Sequence, residues 1–559
     1  MNAPSDHPAP RRWDPPSSFP VHWEDPADAA LWWTHETEHA SPLVLPCQVA
    51  QRQWIGDGMV HAARLYGAPL AGRRGRRINT YWYDAMVPMD VAPEERDRLA
   101  REGEALKAER ARSLQAWWEE RWRPELDRLL DYWAAQDPDA LDDGALARWL
   151  EHSDAPQRRI WAIHFELVFC LFPTLRAFDE QCRELFGSDS DPITGQELLV
   201  GEENATLRGA MALWDVSRQL LEDPAALEAL AAPTGAAALA QLQATPAGQR
   251  VAAALSEWLA QYGRRPDERR EALGANWDED PSVPLAMLRA YVQATSPHPL
   301  EAWQRRRARR DARTAEARQR LTDYPAAVRA SFEDLLARAR YAARLAEDHN
   351  FHLDQKSFYW YRRAVIAAGR RLAARGSLER PEDVVFLTFP AIVAALATGE
   401  PAAEVLRAQV AAEKVELDRW ADVDPPEHLG TEPPEDAAAA PAPPPHSEGP
   451  WQGVPASPGI VRGRARVALS LGDASAAEPG DILVTTTTNP AWSPLFAVLG
   501  GLVTTVGSSL SHGAIVAREF GLPAVVAVAG ATTHIRTGDW LELDGARGTV
   551  TPLNAPAAG

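Results

Sequence analysis

The chain has 559 residues, of which 45% are hydrophobic and 24% are charged, so it can bury several cores and should divide into about two to four domains. Its formal net charge of −20 argues against a nucleic-acid partner, because such binding depends on clustered Lys and Arg that neutralise phosphates. The cysteines, Cys47, Cys170 and Cys182, show no Cys-x-x-Cys spacing, which predicts reduced core thiols and neither disulfides nor a metal site.

The N-terminal segment 1–19 is rich in Pro, Ser and Asp and lacks the apolar run of a signal peptide, so it is expected to be a disordered arm. No run of apolar residues anywhere in the sequence approaches the length of a membrane span. These features predict a cytoplasmic protein without a membrane partner.

Residues 20–425 show mostly helical periodicity and are expected to form one large helical domain that binds a substrate. Helix signals with recognisable starts or stops lie at 93–137, 204–222, 245–262, 325–348 and 359–375. The β-branched and aromatic run Arg77 to Tyr83 predicts a short strand inside this region. The following segment, 426–450, is dominated by Pro and Ala and predicts a flexible linker that spans roughly 75 Å when extended.

Residues 451–559 change to a strand-rich pattern with one strong helix, which predicts a compact α/β domain. Strands are expected at 465–469, 482–485, 502–504, 524–528 and 540–543, and the helix at 511–520. The overall expectation is a multidomain protein in which a large, mostly α-helical domain precedes a compact α/β domain.

His512 follows a strand and a Gly-Ser turn and occupies the first turn of the predicted helix. The free N–H groups and the positive dipole end of a helix attract anions at this position. A neutral imidazole is a competent nucleophile toward phosphorus, so we expect His512 to carry a phosphoryl group. The hydroxyls of Ser509 and Ser511 and the backbone at Gly513 are the predicted phosphate ligands.

The segment Ser511-His512-Gly513-Ala514-Ile515-Val516-Ala517-Arg518-Glu519, followed by Gly521-Leu522-Pro523-Ala524-Val525, resembles the phosphohistidine swivelling domain of the phosphoenolpyruvate-utilising enzymes. The opening Ser457-Pro458-Gly459 and the closing Asp544-Gly545 resemble the same domain. The resemblance covers 451–559 and implies that His512 is the phosphorylated residue and that Arg518 helps to bind the phosphate. Upstream motifs are similar to rifampicin-phosphotransferase-like and phenylphosphate-synthase-like proteins.

The chain contains three lysines, Lys107, Lys356 and Lys414, and none lies in a Gly-rich phosphate-binding loop. No nucleotide-binding domain is expected, and no cofactor is expected to bind directly. The resemblance therefore implies a split enzyme, in which a separate ATP-grasp protein uses ATP and Mg²⁺ to load His512. An alcohol or phenol of low molecular weight is the expected acceptor.

The acceptor site is predicted from the stretch around Glu347 and His349, which is dense in titratable groups. Rifampicin-phosphotransferase-like proteins carry Arg-Glu-x-x-Lys-Phe here, and this chain has Ala346 and Asn350 in place of the two cations. The hypothesis is that Glu347 or His349 takes the acceptor proton and that Arg344, Arg362 or Arg363 replaces a missing cation. A solvated helix end is the alternative interpretation of this stretch.

His35, His39 and His164 are further candidates for acceptor binding. His35-Glu36-Thr37-Glu38-His39 matches the His-Glu-x-x-His zinc signature, but Ser41-Pro42 ends any helix at once, so zinc hydrolysis is disfavoured. His164 lies on an apolar helix, and the alternative interpretation is a core histidine whose hydrogen bonds are satisfied within the protein.

The predicted function is a phosphotransferase of the dikinase or phosphoenolpyruvate-synthase type. An ATP-dependent dehydratase that phosphorylates an alcohol and eliminates phosphate, and a non-catalytic phosphocarrier, are the alternatives.

Overall fold

The computed structural model describes residues 12–13, 15–37, 43–221, 224–232, 234–264, 275–294, 298–432, 450–509 and 511–554. The chain forms two compact units. The first unit contains Met1–Phe169 and Trp360–Ala442, and the second contains Cys170–Tyr359 and Pro443–Gly559. The predicted helical region 20–425 is therefore divided between two units, and the C-terminal α/β region belongs with helices from the middle of the chain.

The first unit combines helices with a five-stranded antiparallel sheet. Its strands lie in the order Arg12–Trp13, His428–Thr431, Trp32–His35, Tyr81–Pro88 and Leu70–Ile78. Its helices and shorter helical turns are Pro26–Ala30, Gln48–Leu65, Pro93–Arg112, Leu114–Trp117, Trp118–Trp122, Arg123–Ala134, Asp143–His152, Pro381–Phe386, Phe389–Thr398 and Ala403–Trp420. The long helices Asp154–Phe186 and Gln355–Ala374 contain two of the three boundaries between the units.

The strand predicted at Arg77 to Tyr83 is a hairpin of two longer strands, Leu70–Ile78 and Tyr81–Pro88. The chain reverses at Asn79 and Thr80, whose φ angles are 48° and 71°. Two consecutive positive φ values are typical of the two-residue turns that match the twist of paired strands. The prediction missed this turn because Asn-Thr lacks the glycine that usually marks it.

In the first unit, parts of the predicted N-terminal arm and of the predicted linker are more ordered than the composition indicates. Phe19, in the predicted disordered arm, is fully buried, and its ring lies 5.9 Å from that of Tyr81 and 5.5 Å from that of Trp420. At the start of the predicted linker, His428–Thr431 pairs with Trp32–His35 as a strand. The rest of the linker prediction, 433–449, lies outside the described residues.

The second unit begins with a helical part. Its helices and turns are Gly195–Leu199, Ala205–Leu220, Pro224–Ala229, Gly235–Leu242, Pro246–Tyr262, Ser282–Gln293, Pro299–Arg320, Ala326–His349 and the π-type turn Asn350–Asp354. Side-chain caps explain two predicted starts: Asn204 accepts the N–H of Leu207 at 2.9 Å, and Thr245 accepts the N–H of Gly248 at 3.0 Å.

The α/β part of the second unit is built on an eight-stranded sheet. Its strands lie in the order Trp451–Gln452, Thr549–Leu553, Trp540–Asp544, Ile460–Val467, Ile482–Thr485, Gly501–Thr504, Ala524–Val526 and Val454–Ser457. The four strands from Ile460–Val467 to Ala524–Val526 are parallel, and the others are antiparallel. Its helical segments are Leu471–Ala474, Pro490–Ala497, His512–Phe520 and Ala531–His534.

All five strands predicted for 451–559 are present, and three others were missed. Two of the missed strands, Trp451–Gln452 and Val454–Ser457, are the edge strands of the sheet and are too short for a periodic signal. The third, Thr549–Leu553, contains Pro552, which obscures the strand pattern. The structure confirms a multidomain protein with a large helical region followed by an α/β domain.

A continuous apolar core joins the helical and α/β parts of the second unit. It includes Trp214 and Tyr291 from the helices and Trp492 and Leu495 from the segment Pro490–Ala497. The Tyr291 hydroxyl, fully buried, also donates to the carbonyl of Pro494. This packing fixes Pro490–Ala497 against the helices.

One helical stretch of the described residues, Asp143–Phe186, is long and apolar enough to cross a membrane by length and composition alone. However, 56% of its most apolar window is buried within the protein. Such burial is typical of the core helix of a soluble protein.

Candidate active site

His512 begins the helix His512–Phe520, here called the His512 helix. The preceding strand, Gly501–Thr504, ends in a turn in which Gly507 has a φ of 125°, a conformation that favours glycine. Ser511, in extended conformation, precedes the first helical residue, and Gly521 ends the helix with a φ of 66°. The structure thus confirms the predicted position of His512 at a helix N-terminus, where unpaired N–H groups favour an anion.

The two ring nitrogens of His512 have different neighbours. Nδ1 lies 3.1 Å from the carboxylate of Glu347, and Nε2 lies 3.1 Å from the hydroxyl of Ser493. A carboxylate accepts hydrogen bonds, so this contact favours the tautomer with the proton on Nδ1. The lone pair then belongs to Nε2, on the side of Ser493.

Glu347 is 1% exposed and lies in the last turn of Ala326–His349. Its second oxygen is 3.4 Å from the hydroxyl of Thr206, and the adjacent Asp348 accepts the N–H of Ala205 at 2.8 Å. Two neighbouring carboxylates therefore attach this turn to the start of Ala205–Leu220. The alternative interpretation of this stretch as a solvated helix end is wrong for Glu347, because the side chain is buried.

Arg518 anchors the loop that precedes His512. Its guanidinium donates to the carbonyl oxygens of Ala456 and Ser509, both at 2.6 Å, and burial lowers its pKa to about 10. The Ser511 hydroxyl donates to the carbonyl of Ser508 at 2.8 Å. These contacts position the loop in this conformation, and the phosphate-binding roles of Ser509, Ser511 and Arg518 stay predictions.

Gly513 allows a buried hydroxyl to approach the start of the His512 helix. A Cβ atom at this position would lie 2.5 Å from Oγ1 of Thr488. Any side chain at residue 513 would therefore displace Thr488. Thr488 and Ser493 were missed from the sequence because Thr and Ser are common in loops, and only the fold brings them to His512.

The far end of the His512 helix is attached to the helical part of the second unit. Arg306 donates to the carbonyl of Phe520 at 2.8 Å, and Gly201 donates its N–H to Glu519 at 2.9 Å. Burial raises the pKa of Glu519 to about 7, although the nearby arginines oppose this effect. A cavity of about 200 Å³ beside these contacts is lined in part by Arg176, Asp179, Ser509, Arg518 and Glu519.

His349 is buried, and its Nδ1 lies 2.8 Å from the carbonyl of Leu345. Because a carbonyl oxygen only accepts, Nδ1 carries a proton, and in the neutral ring the lone pair belongs to Nε2. The following π-type turn, Asn350–Asp354, is of a kind that occurs often at functional sites. The structure brings Glu347 to His512, and the acceptor role of His349 stays a prediction.

The other acceptor candidates belong to the first unit. His35 ends the strand Trp32–His35, and burial lowers its pKa. His164 is half-buried on Asp154–Phe186 and lies 4.8 Å from the ring of Phe165, whereas Arg362 is buried on Gln355–Ala374. Their roles in acceptor binding stay predictions.

The zinc signature requires a helix, but the first three residues of the signature are not helical. Residues 35–37 form the end of a strand and an irregular segment, and His39 lies outside the described residues. Two zinc-binding imidazoles one helical turn apart need a helix, so this segment does not support zinc hydrolysis.

Two known protein families match parts of this chain. Residues 477–548 match the family described as PEP-utilising enzyme, mobile domain, and residues 171–347 match the rifampicin phosphotransferase fourth domain. Both matches fall in the second unit, and they include His512 and Glu347, respectively.

Relatives over longer stretches include chondramide synthase of Chondromyces crocatus, which is 35% identical over 96% of this chain and 14% of its own length. Rifampicin phosphotransferase of Streptomyces sviceus is 30% identical over 75% of this chain and 51% of its own length. Phosphoenolpyruvate synthase of Aeropyrum pernix is 42% identical over 22% of this chain and 15% of its own length. The chain thus spans about half or less of these relatives. The chain is therefore similar to the PEP-utilising enzymes over the mobile domain and to rifampicin phosphotransferase over the fourth domain.

Proposed function

We propose that this chain is a phosphotransferase component that carries a phosphoryl group on His512 and transfers it to a hydroxyl of a small alcohol or phenol. The observation that carries the proposal is the position of His512. It is the first residue of a helix, and its Nδ1 contacts the carboxylate of Glu347. The acceptor binds in the helical region, and the reaction takes place in the cytoplasm, where ATP is available.

In the loading step, the lone pair of Nε2 attacks the donor phosphorus. The new N–P bond forms as the bond from phosphorus to the donor's leaving oxygen breaks. The ring becomes cationic, and the Glu347 carboxylate stabilises this charge through the proton on Nδ1. The N–H groups at the start of the His512 helix bind the phosphoryl oxygens.

In the transfer step, the N–P bond breaks, its electrons return to Nε2, and the acceptor oxygen bonds to phosphorus. The hydroxyl proton of the acceptor has to move to a base. His349 is suited to this role in its neutral form, because Nδ1 donates to the carbonyl of Leu345 and the lone pair then belongs to Nε2. Glu347 is better suited to orienting His512, since it already contacts the ring.

The donor is a separate ATP-grasp partner that uses ATP and Mg²⁺. The support for this part of the proposal is the sequence itself: none of the three lysines lies in a Gly-rich loop that would bind nucleotide phosphates. This chain alone should therefore bind ATP weakly. Calorimetry with ATP and Mg²⁺ tests this point, and micromolar affinity would contradict the separate donor.

The phosphohistidine itself can be tested without the partner. Potassium phosphoramidate phosphorylates histidine chemically, and the modified residue can be mapped by mass spectrometry under alkaline conditions. We expect an acid-labile phosphoryl group at His512 that is absent from His512→Ala. An acid-stable phosphoryl group, or modification that is unchanged in that variant, would contradict the proposal.

A further inference from the structure

Two hydroxyls lie at the same edge of the α/β sheet as His512. The strands Ile482–Thr485 and Gly501–Thr504 are parallel neighbours, so the segments that follow them leave the sheet at the same edge. One segment leads to His512, and the other contains Thr488 and Ser493. Ligands of open α/β sheets bind beside the carboxyl ends of the strands, which is where these two segments meet.

Ser493 is fully buried and contacts the nitrogen that carries the lone pair. Its hydroxyl is 3.1 Å from Nε2 of His512, and the segment that holds it is attached to the helices by the bond from Tyr291 to Pro494. When a phosphoryl group bonds to Nε2, this hydroxyl can no longer donate to the lone pair. It is then within reach of a phosphoryl oxygen.

Thr488 provides an independent observation. It is 7% exposed, and its Oγ1 has no hydrogen-bond partner among the described residues. This oxygen is directed at the start of the His512 helix, since a Cβ on Gly513 would lie 2.5 Å from it. A buried hydroxyl without a partner is costly, so its position beside an anion-binding helix end indicates a ligand that is bound during only part of the reaction.

We infer that Thr488 and Ser493 donate hydrogen bonds to the phosphoryl group on Nε2 of His512, together with the first N–H groups of the His512 helix. This inference rests on the proposed phosphohistidine and assigns two further residues to its site. Both hydroxyls come from the segment that follows Ile482–Thr485. None of the phosphate ligands predicted from the sequence lies in this segment, and the comparisons assign no role to either hydroxyl.

The charge on the phosphoryl oxygens explains why both positions are needed. Hydrogen bonds to a charged group are stronger than those between neutral groups, and donors that are already in place stabilise charge as it develops. Gly513 then has a specific purpose, because any larger residue would push the Thr488 hydroxyl away from the helix end.

The test compares Thr488→Val with wild type by potassium phosphoramidate loading, followed by ³¹P NMR of the His512 phosphoramidate. Valine has nearly the same shape but no hydroxyl, so we expect loading to slow roughly tenfold to a hundredfold. We also expect a changed ³¹P shift for the protein that does load. Thr488→Ser should restore both properties, and Ser493→Ala should resemble Thr488→Val.

Thr487→Val is the matched control, because Thr487 is half-buried in the same loop. Equal loading rates and ³¹P shifts for wild type, Thr487→Val, Thr488→Val and Ser493→Ala would overturn the inference while leaving the phosphohistidine intact. If wild type gains no phosphoryl group at residue 512 beyond the His512→Ala background, the proposed function itself fails. Thermal unfolding of each variant separates a lost hydroxyl from a lost fold.

Discussion

Each unit buries one glutamate beside a histidine, and the two sites differ in how the carboxylate is neutralised. In the first unit, Glu166 accepts from Arg159 at 2.6 Å and from Arg110 at 2.9 Å, and His61 lies 3.2 Å away. Burial alone would raise the pKa of Glu166, but the arginines outweigh burial and hold it below its usual value. This carboxylate is fully compensated by permanent cations.

In the second unit, Glu347 has no arginine or lysine partner in the part of the chain that the structure describes. Its contacts are the ring of His512 and the hydroxyl of Thr206. In the proposed mechanism, His512 becomes positively charged when Nε2 bonds to phosphorus, and this charge would balance that of the Glu347 carboxylate. Under the proposed function, Glu166 therefore serves the fold and Glu347 serves the reaction.

The largest expected effect is the loss of phosphoryl loading in His512→Ala. The nucleophilic nitrogen is removed, so no phosphoramidate should form at residue 512 with any donor. Alkaline mass spectrometry measures this loss. His534→Ala is the control, because His534 is an exposed histidine of the same domain and should load like wild type.

Glu347→Gln should sharpen the comparison by separating activity from stability. The amide keeps the shape but cannot balance a cationic ring, and its NH₂ group can favour the wrong tautomer, so we expect loading to fall by roughly a hundredfold to ten-thousandfold. The melting temperature should change little, because no arginine or lysine loses a partner. Glu333→Gln, at an exposed position of the same helix, is the control. Unchanged loading would show that Glu347 does not orient His512.

Glu166→Ala should show the opposite behaviour. Removal of this carboxylate leaves the buried Arg110 without its carboxylate partner, whereas Arg159 keeps Glu125. Breaking a buried ion pair typically costs about 3–5 kcal/mol of stability. Denaturant unfolding measures this loss, with the exposed Glu120→Ala as control. Phosphoryl loading of the protein that remains folded should be normal. A stability equal to wild type would break the proposed division between the two carboxylates.

The sequence was most informative where local signals agreed with one another. A strand and a Gly-Ser turn precede His512 and a helix begins there, so its position at a helix N-terminus could be predicted. The Glu347 contact could not be predicted, because it joins residues 165 positions apart and depends on the packing of Ala326–His349. The positions of Ser493 and Thr488 could not be predicted for a related reason, because the role of a loop hydroxyl depends on the residues that the fold places beside it.

The boundary between units is a second limit of the sequence. The Pro- and Ala-rich segment indicated a linker between one helical domain and one α/β domain, but the apolar faces of helices such as Ala205–Leu220 and Ser282–Gln293 pack with the α/β region. Periodicity shows that a helix has an apolar face and does not show which surface covers it. The unit that contains His512 therefore had to be found from the contacts.

The smallest expected effect concerns Glu519, a third buried carboxylate, whose burial raises its pKa from 4.5 to about 7. A raised pKa means that folding favours the protonated form, so the stabilising contribution is present at low pH and is lost as pH rises from about 4.5 to about 7. A difference of this size corresponds to roughly 3 kcal/mol between the two ends of that window.

We therefore expect wild type to lose stability between about pH 4.5 and about pH 7 relative to Glu519→Gln, which keeps an acceptor for the N–H of Gly201 but cannot ionise. Melting temperatures of both proteins across this range measure the difference. Glu542→Gln, a surface carboxylate paired with Arg462, should follow wild type. Parallel curves for wild type and Glu519→Gln would show that Glu519 does not change its protonation between the folded and unfolded states. A wild-type curve that falls relative to Glu519→Gln as pH rises would identify the C-terminal end of the His512 helix as the place where the attachment of the α/β part responds to pH.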